Sequence, residues 1–182
     1  MRKHFFQKNQ ELKHDFSITN SPLKFYPQET DWTCSLACIR TIFSSLITDV
    51  PSENYLISNF NLKPGPHYSK EIKNTHILDD FDVIYGFDHS DYNFDNILEL
   101  LKKNYFVMLE SMYNYAHWFV LIGYFPNINN EIEKSKLLIY DPYYDDIRLL
   151  NTDEFITMWI DGNHEKTNVE HDFIAIKNKT KR

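Results

Sequence analysis

Cysteine is scarce in this chain of 182 residues, which has two, Cys34 and Cys38. Two thiols four residues apart on one expected helix do not make the disulfide framework of a small secreted domain. They do not make a zinc site either, because no second close pair of ligands accompanies them, and no metal or cofactor is expected. Positive charge is also short: 19 Lys and Arg against 26 Asp and Glu leave a formal charge of -7 and a pI near 5.6. A nucleic-acid backbone needs clustered Lys and Arg, so no nucleic-acid partner is expected. The basic tail at 178–182, within KNKTKR, is too short to reverse that. No apolar run approaches the roughly 18 residues of a membrane span. No apolar core follows the early charges of MRKHFFQKNQELKH, so no cleaved secretory signal is expected. These absences predict a soluble, cytoplasmic protein, with export by a route that needs no cleaved signal left open. Internal repeats, low-complexity segments and linkers are missing as well.

What is present is material for a core. Hydrophobic residues make up 42% and aromatic residues 16% of a 21.9 kDa chain, the usual size of one compact domain. The expectation is therefore a single domain over 1–182, with a peripheral arm at 1–20 and a core over 22–175.

The chain is organised around Tyr26 to Leu46, YPQETDWTCSLACIRTIFSSL. From Thr33 to Ser45 the apolar positions recur at three- and four-residue steps, which predicts a helix with one buried face. Asp31 or Thr33 is placed to cap it. Cys34 then stands in the first turn, where unpaired amides and the macrodipole favour a thiolate. Gln28, six positions upstream, is placed to turn its amide toward an oxyanion forming at a carbonyl under attack by that sulfur. A base is available downstream in His117, at the head of the apolar run HWFVLIGYF, and Asp141 ends KLLIYD. Asp145 and Asp146 are nearby rivals of Asp141. The other histidines lack such a context, and His67 and His76 are expected at the surface.

SPLKFYP reads as extended, since Pro22 and Pro27 disfavour helix and Leu23 and Phe25 alternate. Short helices are expected in VPSENYLISNF and over 70–81, followed by an extended piece at 82–87. A further helix in DHSDYNFDNILELLKKN has Phe94, Ile97, Leu98 and Leu101 as its stripe, Asp91 or Asn93 as its cap and Asn104 as its end. The acidic run before it lacks the central glycine of a calcium loop. YFVMLES, HWFVLIGYF and KLLIYDP read as antiparallel strands, with a hairpin loop in PNINNEIEKS. DIRLL adds another strand, Thr152 caps a helix that runs through Trp159 with Gly162 as its stop, and DFIAIK closes the chain as a strand. Helices first and strands second give an α+β fold, an N-terminal helical half packed on a C-terminal antiparallel sheet.

The Gln28-to-Cys34 spacing, Ala37-Cys38 after the nucleophile, His117 with WFVLIGY behind it and Asp141-Pro142 ending a strand together resemble the bacteriocin-processing, double-glycine leader peptidases and their stand-alone relatives among papain-like cysteine peptidases. The resemblance covers roughly 22–175. It implies a papain-like fold with Cys34 as nucleophile, Gln28 as oxyanion donor, His117 as general base and acid, and Asp141 as the orienting residue. It implies a peptide or protein substrate. Trp32, Ser35 and Trp118, the neighbours of the two reacting residues, are expected to bind that substrate. Tyr113, Tyr115, Trp118, Tyr143 and Tyr144 fit a cleft lining or core and rim equally.

Two departures bear on substrate. The family has Asp-Cys-Gly where this chain has Thr33-Cys34-Ser35, which puts a side chain beside the sulfur. The membrane helices and nucleotide-binding domain of transporter-borne members are not in this sequence. The Trp32-to-Cys38 pattern is also similar to a group described as guanylyl-cyclase-like. An acyltransferase or amidase using the same thiol, and a binding module without turnover, are the alternatives to hydrolysis.

Overall fold

The computed structural model describes residues 18–112, 116–126, 135–159 and 171–180. In chain order the elements are β1 (Ile18–Thr19), α1 (Cys34–Leu46), α2 (Glu53–Phe60), α3 (Ser69–Asn74), β2 (Phe81–Tyr85), α4 (Phe94–Lys102), β3 (Phe106–Ser111), β4 (His117–Phe125), β5 (Lys136–Asp141), β6 (Asp146–Asn151), α5 (Thr152–Met158) and β7 (Phe173–Asn178). The strands form one antiparallel sheet in the order β2-β7-β3-β4-β5-β6, with β1 beside the end of β4. The fold is α+β, with helices packed on an antiparallel sheet.

Side chains alternate across a strand, and here both faces are covered. One face carries Met108, Trp118, Val120, Ile122, Leu138, Tyr140, Ile174 and Ile176 against Leu36, Ile39, Ile42 and Phe43 of α1. The other carries Val107, Leu109, Phe119, Leu121, Ile139 and Phe173 against α4 and against Phe155 and Trp159. The sequence order places helices in the first half. The structure divides them, so that α4 and α5 lie on the face opposite α1. A sheet covered on both sides shields its central strands, which is why HWFVLIGYF reads as a continuous apolar run rather than an alternating one.

Several boundaries differ from the sequence expectation. Ile18 and Thr19, read as part of an arm, pair with Tyr124 and Gly123 of β4. SPLKFYP joins no strand. Instead the amides of Leu23, Lys24 and Tyr26 donate to the hydroxyls of Ser45, Ser44 and Thr41, so α1 itself satisfies that backbone. The helix expected over 70–81 ends at Asn74, where the Thr75 hydroxyl donates to the Ile72 carbonyl and His76 adopts φ 62°. β2 stops at Tyr85 because the chain turns at Gly86. A Cβ there would stand 2.6 Å from Asp172 Oδ1, so the close approach requires glycine. Asn93 caps α4 by accepting from the Asn96 amide, and Asn104 leaves that helix at φ 61°. Thr152 is the first helical residue of α5 and does not cap it; Asn151 holds that position. Gly162, Tyr113, Tyr115 and most of the hairpin loop lie outside the described residues.

Candidate active site

Cys34 is the first residue of α1 and is 9% exposed. Thr33 occupies the capping position, but its hydroxyl turns back to Thr30, accepting from that amide at 3.1 Å and lying 3.2 Å from its carbonyl. Asp31 is exposed. No side chain caps the helix, and no acidic residue stands in its first turn. The expected cap is thus not made. Its absence leaves the positive helix end uncompensated at the cysteine.

His117 opens β4 and Asp141 closes β5, and the pairing of those strands brings the two together. Val120 stands opposite Tyr140, so one step further Phe119 faces Asp141, and His117, two residues back on the same face, is its diagonal neighbour. His117 Nε2 lies 2.9 Å from Asp141 Oδ1. Both residues are buried, at 6% and 1% exposure. The Phe119 ring meets the imidazole edge-on at 4.7 Å, and the Tyr143 ring does so at 6.3 Å.

Burial alone would lower the His117 pKa. Its hydrogen bond to Asp141, together with the hydrogen bond and charge of the Cys34 thiol, outweighs that and raises it to about 9. The imidazole is thus engaged by sulfur on one side and carboxylate on the other. Asp141 shows the opposite balance. Burial pushes its pKa up, but the hydrogen bond and charge of His117, then the Arg148 guanidinium and the Tyr143 amide, hold it below the usual carboxylate value. Oδ1 also accepts from the Tyr143 amide at 3.1 Å, and Oδ2 accepts from Arg148 Nη1 at 3.0 Å. Asp145 is engaged elsewhere, accepting from the Tyr140 hydroxyl at 2.9 Å.

Cys38, one turn along α1, has no exposed surface, and burial raises its thiol well above the ordinary range. A buried thiol of that kind is inert.

Gln28 is joined to both sides of the site. Its amide nitrogen donates to the Thr30 carbonyl at 2.8 Å, and its backbone amide donates to the Pro142 carbonyl at 3.0 Å. A side-chain amide has two hydrogens, so Thr30 takes one and leaves the other for a further acceptor.

The residues expected to bind substrate sit differently from one another. Trp32 is half-buried, edge-on to His67 at 5.6 Å. Ser35 is 1% exposed and its hydroxyl lies 3.3 Å from His67 Nδ1. Trp118 is 2% exposed, packed in the core beside α1, with its indole N–H donating to the His67 carbonyl at 2.8 Å. Alternation places Trp118 on the α1 face, which turns it into the core; as the chain stands, neither it nor Ser35 presents surface to a ligand. His67, expected at the surface, is a buried residue that contacts the neighbour of Cys34 and the neighbour of His117. His76 is exposed.

Two groups of residues were not singled out by sequence. Arg148 is one, although the alternation in DIRLL puts it on the same face of β6 as Asp146, the partner of Asp141. The other is a cluster under the Tyr26–Thr33 segment. Arg40 Nη1 lies 2.8 Å from Glu29 Oε1 and 3.7 Å from Glu53 Oε1, and the Glu29 amide donates to Glu53. No local sequence signal marks this cluster, because its members come from a loop and two helices. Among the described residues no group of three His, Cys, Asp or Glu side chains is disposed to hold a metal ion. Among them, too, no helix is long and apolar enough to cross a membrane.

The arrangement is an α+β fold in which a helix N-terminus faces the ends of antiparallel strands. One similar solved structure is the peptidase domain of Streptococcus ComA, a bi-functional ABC transporter involved in a quorum sensing pathway. It superposes with a TM-score of 0.55 over 86% of this chain and 98% of that one, at 16% sequence identity. At that identity the likeness concerns the fold. No sequence-family profile matches the chain, and no curated protein does.

Proposed function

We propose that this protein is a cysteine peptidase in which Cys34 attacks the carbonyl of a peptide bond. The observation that carries the reading is the buried 2.9 Å contact between His117 and Asp141 on a ring that also engages the Cys34 thiol. His117 takes the thiol proton, and the sulfur adds to the carbonyl carbon. The Cys34 amide and the free Gln28 hydrogen hold the oxyanion. The C–N bond then breaks, the amine leaves with the proton from His117, and an acyl-thioester remains on Cys34. Water, deprotonated by His117, releases the acid and restores the thiol. Asp141 keeps the ring oriented and favours its charged form through both steps. The ComA domain, described as a peptidase, supports peptide as the substrate class.

The test is cleavage of a peptide library by wild type and Cys34→Ala, with folding followed by circular dichroism. Cleavage by wild type and none by a folded Cys34→Ala is the expected result. Turnover that survives the substitution overturns the reading. An added amine nucleophile that diverts product to the amide would assign acyl transfer instead of hydrolysis.

A further inference from the structure

We infer that Arg148 is a positioning residue of this site, one that pins the Asp141 carboxylate so that a single oxygen serves His117. The geometry is specific. Asp141 lies opposite Asp146, and Arg148, two residues on, is its diagonal same-face neighbour across β5 and β6. Its Nη1 takes Oδ2 at 3.0 Å while Oδ1 faces the imidazole at 2.9 Å. A carboxylate bonded only through Oδ1 can turn about its last torsion. One bonded at both oxygens cannot turn without breaking a charge-assisted bond. Arg148 is itself placed, because the Tyr144 ring lies 5.3 Å from its guanidinium carbon and supplies a cation–π contact.

The groups facing His117 are Cys34 from α1, Asp141 from β5 and the Tyr143 ring. Those acting on Asp141 are His117, Arg148 and the Tyr143 amide, with the Asp146 carboxylate opposite it across β5 and β6 and the Cys38 and Tyr140 groups within electrostatic reach. Arg148 therefore acts on the ring through Asp141. Its side chain remains about one-third exposed, so replacing it should spare the fold.

The inference rests on the peptidase reading, and the experiment separates the two. The imidazole nitrogens of His117 are titrated by NMR in wild type, Arg148→Met and Arg148→Lys, and kcat and KM are measured on a cleaved peptide. In wild type the ring is expected to titrate near pH 9. In Arg148→Met the value falls below that as Asp141 loosens and its hydrogen bond to the ring weakens; a rise, which is what removing a positive charge beside a fixed carboxylate gives, overturns the inference. The alkaline limb of kcat moves down with the falling value, kcat drops about tenfold as for other partners that orient a functional group, and KM stays within about twofold, since uniform binding is untouched. Arg148→Lys, which keeps the charge, recovers most of both. A purely structural salt bridge lowers the melting temperature and leaves titration and kcat alone, which overturns the inference. Should Arg148→Met fail to fold, Arg148→Gln takes its place in the same comparison. A wild type that cleaves nothing overturns the peptidase reading, and the titrations still decide on Arg148.

Discussion

The two sides of the proposed site, the base side and the nucleophile side, are held by different means. On the base side His117, Asp141 and Arg148 come from three adjacent strands, and their meeting follows from antiparallel register. Each pair is a diagonal same-face neighbour, so backbone pairing alone aims the side chains. On the nucleophile side Cys34 and Gln28 belong to a helix start and an irregular segment with no ladder to fix them. Hydroxyls of α1, the Thr30–Thr33 turn, the Gln28–Pro142 backbone bond and the Arg40–Glu29–Glu53 cluster do that work. Register is collective, whereas the nucleophile side depends on individual side chains. Substitutions should therefore act differently on the two sides: on the base side they should alter titration with little loss of fold, and on the nucleophile side they should loosen structure first.

The largest effect is expected for Asp141→Asn. The amide keeps an acceptor oxygen but loses the negative charge that favours the imidazolium, and its NH2 end, if turned to the ring, fixes the wrong tautomer. A loss of about 10⁴-fold in kcat, as for the corresponding change in a serine triad, is expected with the fold retained. The pH dependence carries the sign. In wild type the ring is charged through neutrality and loses its proton near pH 9, so kcat falls above that pH; in the variant the limb moves down toward 6.5. Folding stability follows the same linkage. The His117 contribution is complete below about pH 6.5 and is lost as pH rises through about 9. The Asp141 contribution is present above its usual value of 3.8 and is lost as pH falls through its lower folded value. Urea unfolding across that range checks both, and an alkaline limb that does not move in Asp141→Asn would break the base-side account.

Gln28→Ala should cost about 10²- to 10³-fold in kcat if its free hydrogen meets the oxyanion, with KM little changed. The same substitution removes the bond to Thr30, so hydrogen exchange at 28–33 separates the two roles. Faster exchange with unchanged kcat would assign Gln28 to structure alone.

This contrast also explains what could be read from sequence. The strands were legible because short aromatic and branched runs separated by turns have few other solutions, and His117 and Asp141 stand at their ends. Arg148 was within reach of the same alternation, but a basic residue on an edge strand is ordinarily a solvated one. Cys34 stood out from Cys38 by its position at the helix start and its spacing from Gln28, and both thiols are buried, Cys38 completely. The missing Thr33 cap, the inward turn of Ser35 and the burial of His67 could not be read, because each depends on contacts across loops rather than on any local period. The division of helices between two faces was hidden for the same reason. Amphipathic α4 announces an apolar stripe without saying which face of the sheet receives it.

Arg40→Met tests the nucleophile side through its support. Glu53 is 1% exposed, and its Oε1 has no hydrogen-bond partner beyond the approach of Arg40. Burial already raises its pKa. Removing the guanidinium leaves that carboxylate with the Glu29 amide and the Thr33 hydroxyl but without its cation, and breaking a buried pair in this way costs up to about 3 kcal/mol. Urea titration reads the loss, and Glu53→Gln in the same chain should restore part of it. His117 should titrate as in wild type, since the base side is held independently. A shift in that titration would show that the two sides are coupled.

Ser35→Ala is the mildest case and the sharpest on the comparison. Ser35 stands where the resembling family has glycine, and its hydroxyl reaches His67, whose ring also lies 3.0 Å from the Lys63 carbonyl. Nε2 must donate to that carbonyl, so Nδ1 is the acceptor and the Ser35 hydroxyl donates to it. Burial lowers the His67 pKa, which keeps the ring neutral and that tautomer in place. Losing one such bond costs about 1 kcal/mol. The bond from the Trp118 indole to the His67 carbonyl does not involve the lost hydroxyl and remains. The loop carrying His67 therefore stays attached on the strand side while its tie to the helix is cut. Stability should fall by about that amount, with kcat unchanged within about twofold. A tenfold drop in kcat at full stability would mean that the helix start needs this single hydroxyl to hold Cys34 in register with His117.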